Sequence, residues 1–170
     1  MTRMYATALM GRDGSATVYE LLEYAYVKEY GSVMPEIKKT PAGKPYFPNR
    51  PDVHFSLSHS RTHVLCAISE QPIGVDIESE RHVTERAVRF FASPEELAHF
   101  DPLDLWVLKE SYIKLVGGKL LMVKTIHFSK ENDIIVPPDK RAIAKLYHIG
   151  NNPAAASSYS DHLPSSIELT

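Results

Sequence analysis

The chain contains two long helical segments, and each one follows a short strand-like segment and precedes further strands. Residues 3–10 form the first strand-like segment, before the helical pattern of residues 15–31. The strand-like pattern of residues 73–78 comes before a second long helical segment that begins at Pro102. Strands and helices in this mixed order predict an α+β fold, in which a helix packs on a mostly antiparallel sheet.

The two halves of the chain, residues 1–70 and 71–170, share this order of elements. Glycines at residue 31 and at residues 117–118 are suitable helix stops. Ser93-Pro94-Glu95-Glu96 predicts a capped helix start, and Asp101-Pro102 is expected to open the next helix in the same way. In the first half, residues 53–60 and 63–69 predict a hairpin. In the second, we expect an antiparallel meander at 123–129, 132–137, 142–149 and 154–159.

Composition restricts the classes of protein that the chain can belong to. A content of 44% hydrophobic and 24% charged residues is typical of a globular protein. The single cysteine, Cys66, excludes a disulfide framework and predicts a buried thiol. The first residues lack the apolar stretch of a signal peptide, and no run approaches the ~20 apolar residues of a membrane span. We therefore expect a cytoplasmic protein that does not bind membranes.

The net charge of −2 argues against a general nucleic-acid-binding surface. The exception is the segment 38–50, which holds Lys38, Lys39, Lys44 and Arg50 without any acid and is interrupted by three prolines. Such a rigid basic segment fits a phosphate-bearing partner. A solvated, proline-rich connection fits it equally well.

The segment "GVDIE", residues 74–78, places Asp76 and Glu78 one residue apart. Side chains alternate along a strand, so these two carboxylates share one face while Val75 and Ile77 face the core. Carboxylate oxygens are ligands that suit Mg²⁺. The alternative is a half-exposed strand with a solvated acidic face.

The helix that begins at Pro102 has two different stripes. One is apolar and predicts a core contact through Leu105, Leu108, Tyr112 and Leu115. The other contains Trp106, Glu110 and Lys114, spaced by four residues. An exposed ion pair between Glu110 and Lys114 would account for the two charges. It would not account for a tryptophan in line with them.

The segment "FSLSHS", residues 55–60, contains Ser58 and His59, and His63 follows. A strand and turn do not place His59 and His63 on one face, which argues against a metal pair. No nucleophile-elbow motif surrounds Ser58. A histidine that donates to an anion remains open. Gly43-Lys44 lacks the remainder of a P-loop, so that interpretation is rejected.

Four segments in this order, "GKPYF", "FSLSHS", "GVDIE" and "WVLKESYIK", together resemble the 4'-phosphopantetheinyl transferase superfamily, in particular its Sfp-type branch. The resemblance implies two similar α/β subdomains, residues 1–70 and 71–170, related by a pseudo-twofold axis. It also implies that coenzyme A binds in the cleft between them. We expect such a protein to be a monomer.

The resemblance further implies an activity and the residues that perform it. Such enzymes transfer the 4'-phosphopantetheine arm of coenzyme A to a serine of an apo acyl or peptidyl carrier protein and release 3',5'-ADP. By resemblance, the metal ligands for Mg²⁺ or Mn²⁺ are Asp76, Glu78 and Glu110, Lys114 contacts phosphate, and Lys44, Ser58 and His59 bind the nucleotide end of coenzyme A.

Glu110 is the best candidate for the general base, because it is next to the metal ligands and presented on a helix. We expect Lys109 to give structural support only. Two other functions compete: a non-catalytic module that binds coenzyme A or a carrier protein, and an unrelated Mg²⁺-dependent phosphohydrolase. The joint presence of Asp76, Glu78, Glu110 and Lys114 argues against a simple binding module.

Overall fold

The computed structural model describes all residues of the chain, Met1–Thr170. Its helices are α1 (Gly14–Tyr30), α2 (Glu85–Phe91), α3 (Pro94–Leu97) and α4 (Pro102–Val116), with a 3₁₀ helix at Leu120–Lys124. Its strands are β1 (Arg3–Ala8), β2 (Lys38–Lys39), β3 (Pro45–Tyr46), β4 (His54–His59), β5 (His63–Ser69), β6 (Ile73–Ile77), β7 (Ser129–Glu131), β8 (Ile134–Val136), β9 (Ile143–Ile149), β10 (Asn152–Ser158) and β11 (Glu168–Leu169).

Two main sheets organise the molecule. The first has the strand order β11-β1-β5-β4 and the second has the order β6-β10-β9. Two small antiparallel hairpins, β2-β3 and β7-β8, complete the strands. Apart from β11, the two main sheets share one strand order. In each, the first strand precedes a long helix and the third strand in chain order lies between the other two, so β1-β5-β4 corresponds to β6-β10-β9. The mixed α/β character predicted from the sequence is confirmed.

The core is divided among three apolar clusters. Helix α1 packs on the first sheet, where Leu22 meets a cluster that includes Cys66. Helix α4 packs on the second sheet, where Leu108 shares a cluster with Ala155. Between the two sheets lies a third cluster, formed by Met4, Ala6, Leu65, Ala67, Ile73, Val75, Ile77, Tyr147, Ala154 and Ala156. The result is a helix, sheet, sheet, helix arrangement.

Most helix ends lie where the sequence predicts them. Gly31 and Gly117 adopt left-handed conformations, with φ of 63° and 67°, directly after α1 and α4. Ser93 and Glu96 form a complete capping box at the start of α3. Asp101 differs from the expectation, because it occupies the N-cap position of α4 without a capping hydrogen bond from its side chain.

One predicted strand is wrong. Of residues 123–129, only Ser129 enters a strand, and the segment begins in the 3₁₀ helix instead. Val123, Ile126 and Phe128 are buried in the cluster beneath α4. Their apolar spacing reflects burial against a helix, which a strand-like pattern resembles over so short a run.

The last strand, β11, belongs to the first sheet, which the sequence pattern does not predict. Strand β11 pairs in parallel with β1, with Tyr5 opposite Glu168 and Ala6 opposite Leu169. A division of the chain at residue 70 stays a prediction, and this last strand lies with the first half. None of the helices has the length and hydropathy of a membrane span.

Candidate active site

The site is built where the two main sheets meet, along the edge strands β4 and β6. The backbone N–H of Val75 donates to Ser56 Oγ at 3.0 Å, and that of Ile77 donates to Ser58 Oγ at 3.3 Å. Both serines are buried. The polar face of "FSLSHS" therefore contacts the strand that carries "GVDIE". Between the edge strands β4 and β6, serine hydroxyls accept the N–H hydrogen bonds that backbone carbonyls accept within a sheet.

Helix α4 lies directly on β6 because residue 74 is glycine. A Cβ at this position would lie 2.0 Å from the carbonyl oxygen of Ser111 and 2.3 Å from the backbone nitrogen of Leu115. Gly74, Asp76 and Glu78 alternate onto the same side of the strand. The close approach thus brings the stripe of Trp106, Glu110 and Lys114 over the two carboxylates.

Asp76 is buried and binds two donors through one oxygen. Lys114 Nζ lies 2.7 Å from Oδ1 of Asp76, and Ser58 Oγ donates to the same oxygen at 2.7 Å. The ammonium of Lys114 is thus paired with the strand carboxylate, and not with Glu110 as an exposed helix pair would require. The two alternatives considered from the sequence were a solvated acidic strand face and an exposed ion pair between Glu110 and Lys114. Neither describes Asp76 or Lys114 as they are placed in the structure.

Glu78 completes the contact between strand and helix. Trp106 Nε1 donates to Glu78 Oε1 at 3.1 Å, and Arg81 Nε lies 3.6 Å from Oε2. This bond accounts for a tryptophan in line with the charged residues, which an exposed ion pair left unexplained. All three members of the stripe face the carboxylates of β6.

Glu110 is half-buried, and its side chain makes no hydrogen bond to the protein. Burial, reinforced by the negative charges of Asp76 and Glu78 and opposed by Lys114, raises the pKa of Glu110 to about 7. As the chain stands, no group of three or more His, Cys, Asp or Glu side chains is arranged to hold a metal ion. Asp76, Glu78 and Glu110 nevertheless supply carboxylate oxygens, the donor type that a hard cation takes, and the charges of Asp76 and Glu78 act on Glu110.

A cleft of about 470 Å³ adjoins this cluster. It brings together Lys44, Ser58, His59 and Lys114, four of the residues that the sequence suggests for ligand binding. Its wall also includes Ser15 and Tyr19 of α1, Gly43 and Lys39 of the basic segment, and Gly117 and Gly118 after α4. His59 is exposed, and its ring lies against Gly14 at the start of α1.

Lys44 reaches across the cleft to the end of α4. Its ammonium donates to the carbonyls of Lys114 at 2.7 Å and Leu115 at 3.1 Å. Burial lowers the pKa of Lys44. The residue therefore has a structural contact that the sequence did not suggest.

The basic segment does not act as one surface. Lys39 and Lys44 line the cleft. Arg50 instead binds the carboxylate of Asp52 and donates to Tyr26 Oη at 2.8 Å. Only part of the segment is thus available to a phosphate-bearing ligand in the cleft.

Lys109 lies outside the stripe of Trp106, Glu110 and Lys114 and is fully buried. Its ammonium donates to Glu96 Oε2 at 3.0 Å, to the carbonyl of Val123 at 3.1 Å and to the carbonyl of Phe91. This agrees with the expected structural role. The sequence identified Glu96 only as a capping residue, because nothing in local spacing connects it to Lys109.

The family model of the 4'-phosphopantetheinyl transferase superfamily matches residues 72–164, which is more than half of the chain. The chain belongs to this superfamily. Similar proteins include a 4'-phosphopantetheinyl transferase of Bacillus subtilis, 41% identical over 88 residues, which cover 46% of this chain and 39% of that protein. The 4'-phosphopantetheinyl transferase Sfp of Bacillus subtilis (strain 168) is 44% identical over 88 residues, with the same coverage of 46% and 39%.

A third relative, the 4'-phosphopantetheinyl transferase gsp of Aneurinibacillus migulanus, is 31% identical over 125 residues, covering 65% of this chain and 51% of that protein. The chain thus spans about half or less of the length of these relatives. The predicted membership of the 4'-phosphopantetheinyl transferase superfamily, Sfp-type, is confirmed. The residues matched by the family model include Asp76, Glu78, Glu110 and Lys114, whereas the segments with Lys44, Ser58 and His59 precede them.

Proposed function

We propose that the protein transfers the 4'-phosphopantetheine arm of coenzyme A to the serine of an apo acyl or peptidyl carrier protein and releases 3',5'-ADP. The observation that carries this proposal is the position of Lys114. Lys114 is one of the residues that line the cleft, and its side chain binds Asp76, so this residue connects the cleft to the carboxylates. A nucleotide in the cleft would place its pyrophosphate against this lysine.

The proposal includes an arrangement of two α/β subdomains, residues 1–70 and 71–170, related by a pseudo-twofold axis. The shared strand order of β1-β5-β4 and β6-β10-β9, each with a long helix after its first strand, supports it. The cleft lies where these two units meet and contains residues from both. We expect the protein to act as a monomer.

Asp76, Glu78 and Glu110 would hold Mg²⁺ or Mn²⁺. Neither oxygen of Glu110 is committed to a hydrogen bond, and Asp76 uses only Oδ1. Glu78 is held by Trp106, which fixes the orientation of its carboxylate. When bound, the cation supplies positive charge to the pyrophosphate.

The residues of the chain would perform the remaining steps. Glu110 would accept the proton of the carrier-protein serine, directly or through a water molecule. Its pKa of about 7 applies to the protein without the cation. The serine oxygen then forms a bond to phosphorus while the bond from phosphorus to the oxygen of the leaving 3',5'-ADP breaks. Lys114 would stabilise the negative charge that develops on the phosphate oxygens.

Coenzyme A would be held by Lys44 and His59. His59 is exposed at the mouth of the cleft, beside the start of α1. It can donate to the 3'-phosphate without losing another bond. Lys44 is half-buried and would share its ammonium between phosphate and the carbonyls at the end of α4.

The test is to incubate the protein with coenzyme A, Mg²⁺ and a panel of apo acyl and peptidyl carrier proteins, and to measure the intact mass of each carrier. We expect one carrier to gain the mass of a single phosphopantetheine arm. The gain should be lost with excess chelator and with Asp76→Ala or Glu110→Ala. Binding of coenzyme A without any gain in carrier mass would instead support a non-catalytic binding module.

A further inference from the structure

Ser56 and Ser58 form a matched pair on β4. They lie two residues apart on the same face of the strand, and both are buried. Each hydroxyl accepts a hydrogen bond from a backbone N–H of β6, Ser56 from Val75 and Ser58 from Ile77. As links between the two sheets, the two serines are equivalent.

They differ in where the hydroxyl hydrogen goes. Ser58 donates to Asp76 Oδ1 at 2.7 Å, whereas the hydroxyl of Ser56 makes no hydrogen bond to a carboxylate. A serine hydroxyl has one hydrogen, and in Ser58 that hydrogen is committed to Asp76. Ile77 N–H donates to the oxygen of the same hydroxyl, so the Ser58 hydroxyl is held by a second hydrogen bond.

The second observation concerns the two oxygens of Asp76. Oδ1 receives both Ser58 and Lys114 Nζ, each at 2.7 Å. Oδ2 receives no hydrogen bond, and no buried side-chain oxygen in the protein lacks a partner, so Oδ2 keeps contact with solvent. Two donors therefore hold one oxygen and leave the other free.

We propose that Ser58 is a positioning residue for Asp76, which fixes Oδ1 so that Oδ2 stays available to a divalent cation. The carboxylate torsion of aspartate is broad and roughly twofold. The long side chain of Lys114 alone restrains it weakly, while the hydroxyl of a strand residue restrains it strongly. Hydrogen bonds of this kind to metal ligands commonly change affinity or activity by about 10-fold to 100-fold.

This inference rests on the proposed function, and it assigns Ser58 a role different from the one implied by family resemblance. A direct ligand of the nucleotide end would spend its hydroxyl hydrogen on phosphate. In the structure that hydrogen lies on Asp76. The two roles predict losses in different measurements, namely coenzyme A affinity for the first and cation affinity together with kcat for the second.

The experiment compares Ser58→Ala with Ser56→Ala. Each variant removes one link between β4 and β6, so both should lower the unfolding temperature by a similar amount. Ser58→Ala should weaken the binding of Mn²⁺, measured by electron paramagnetic resonance without any carrier protein, by about tenfold. It should lower kcat at saturating coenzyme A by a similar factor. Ser56→Ala should change both quantities by less than about twofold.

The dissociation constants for coenzyme A and dephospho-coenzyme A, measured by calorimetry, separate the two roles. Under our proposal Ser58→Ala changes neither constant by more than about twofold. A loss with coenzyme A that vanishes with dephospho-coenzyme A would overturn the proposal and make Ser58 a ligand of the 3'-phosphate. Identical Mn²⁺ binding and kcat in the two serine variants would also overturn it.

The outcomes also separate this inference from the proposed function. If the wild type transfers no arm but binds Mn²⁺ in a manner that depends on Ser58, the transferase proposal fails and the role of Ser58 stands. If the wild type neither transfers the arm nor binds Mn²⁺, both fail. Should Ser58→Ala not fold, Ser58→Cys keeps the size of the side chain with a weaker donor, and Ser56→Cys is then the control.

Discussion

At the scale of single residues, the ion-pair partner of Lys114 shows whether this face of α4 is an ordinary solvated surface or part of a functional site. Glu110 is one helical turn away on the same face, but the ammonium binds Asp76 on another element. The side chain of Asp76 is only 8% exposed, compared with 28% for Lys114. An ion pair so placed affects both the stability and the charge of the cleft.

Lys114→Ala should lower the rate of transfer at saturating coenzyme A by about a hundredfold, the scale of one lost transition-state contact. Folding should survive, at a cost of about 1–2 kcal/mol, because Asp76 keeps the hydrogen bond from Ser58. Paired initial-rate and thermal-unfolding measurements test this. The control is Arg89→Ala, which removes an exposed pair with Glu85 and should change neither quantity. A Lys114 variant with lost stability and a normal rate would contradict the proposed role.

The raised pKa of Glu110 predicts a particular pH dependence of stability. In the unfolded chain this carboxyl ionises near 4.5, and in the folded protein near 7. Between these values the folded state binds the extra proton, so this group makes the free energy of unfolding fall as pH rises. Full ionisation should cost about 1–3 kcal/mol.

Glu110→Gln removes this ionisation and should therefore unfold at a higher temperature than the wild type at pH 8, with the difference shrinking toward pH 5. Thermal unfolding of both proteins across this range, without divalent cations, provides the measurement. Mg²⁺ added at pH 8 should stabilise the wild type and have little effect on the variant. A constant difference at all pH values would contradict the shifted pKa.

At the scale of elements, the close contact of α4 with β6 brings the stripe of Trp106, Glu110 and Lys114 to the strand carboxylates. Gly74 permits the contact on one side of the helix. Outside this stripe, the buried ammonium of Lys109 connects α4 to α3 through Glu96 and to the 3₁₀ helix through Val123. The position of α4 over the carboxylates depends on both the Gly74 contact and the Lys109 hydrogen bonds.

Gly74→Ala should destabilise the protein by about 3 kcal/mol or more, because the new methyl group would overlap the backbone of α4 at Ser111 and Leu115. Denaturant unfolding gives the free energy. Gly118→Ala is a suitable control, since its Cβ would meet the flexible end of the Met122 side chain. If the two variants were equally stable, the close packing of β6 on α4 would be wrong.

Lys109→Met should cost about 3–5 kcal/mol, because it leaves the carboxylate of Glu96 buried without its cation. Lys119→Met, at an exposed position, is the control and should be nearly neutral. The measurement is again denaturant unfolding. A loss below about 1 kcal/mol for Lys109→Met would show that the pair contributes little.

At the scale of the whole molecule, Lys44 connects the segment before β4 to the end of α4 across the cleft. Its ammonium, on the segment before the first sheet's edge strand, reaches the carbonyls that end α4. His59 faces the same cleft but has no hydrogen bond across it. The two residues should therefore behave alike toward coenzyme A and differently in its absence.

His59→Ala and Lys44→Ala should both reduce the thermal stabilisation by coenzyme A, and less so with dephospho-coenzyme A, which lacks the 3'-phosphate. Without ligand, only Lys44→Ala should unfold at a lower temperature than the wild type, because α4 loses donors at its end. Thermal shifts over a range of ligand concentrations measure both effects. Equal losses with the two ligands would show that these residues do not recognise the 3'-phosphate.

The sequence by itself determined what depends on near neighbours. The ends of α1 and α4 at Gly31 and Gly117 were predictable because a glycine tolerates the left-handed conformation that ends a helix. The capping box at Ser93 follows from residues three positions apart. The common face of Asp76 and Glu78 and the two stripes of α4 follow from the periods of strand and helix.

Only the tertiary structure decided which of these groups meet. The pairs Lys114–Asp76, Lys109–Glu96 and Ser58–Asp76 join residues on different elements. The same holds for β11 on β1, which joins the two ends of the chain. Their partners depend on how sheets and helices pack. The raised pKa of Glu110 has the same origin, because burial and the charge of Asp76 act on it only after α4 has packed against β6.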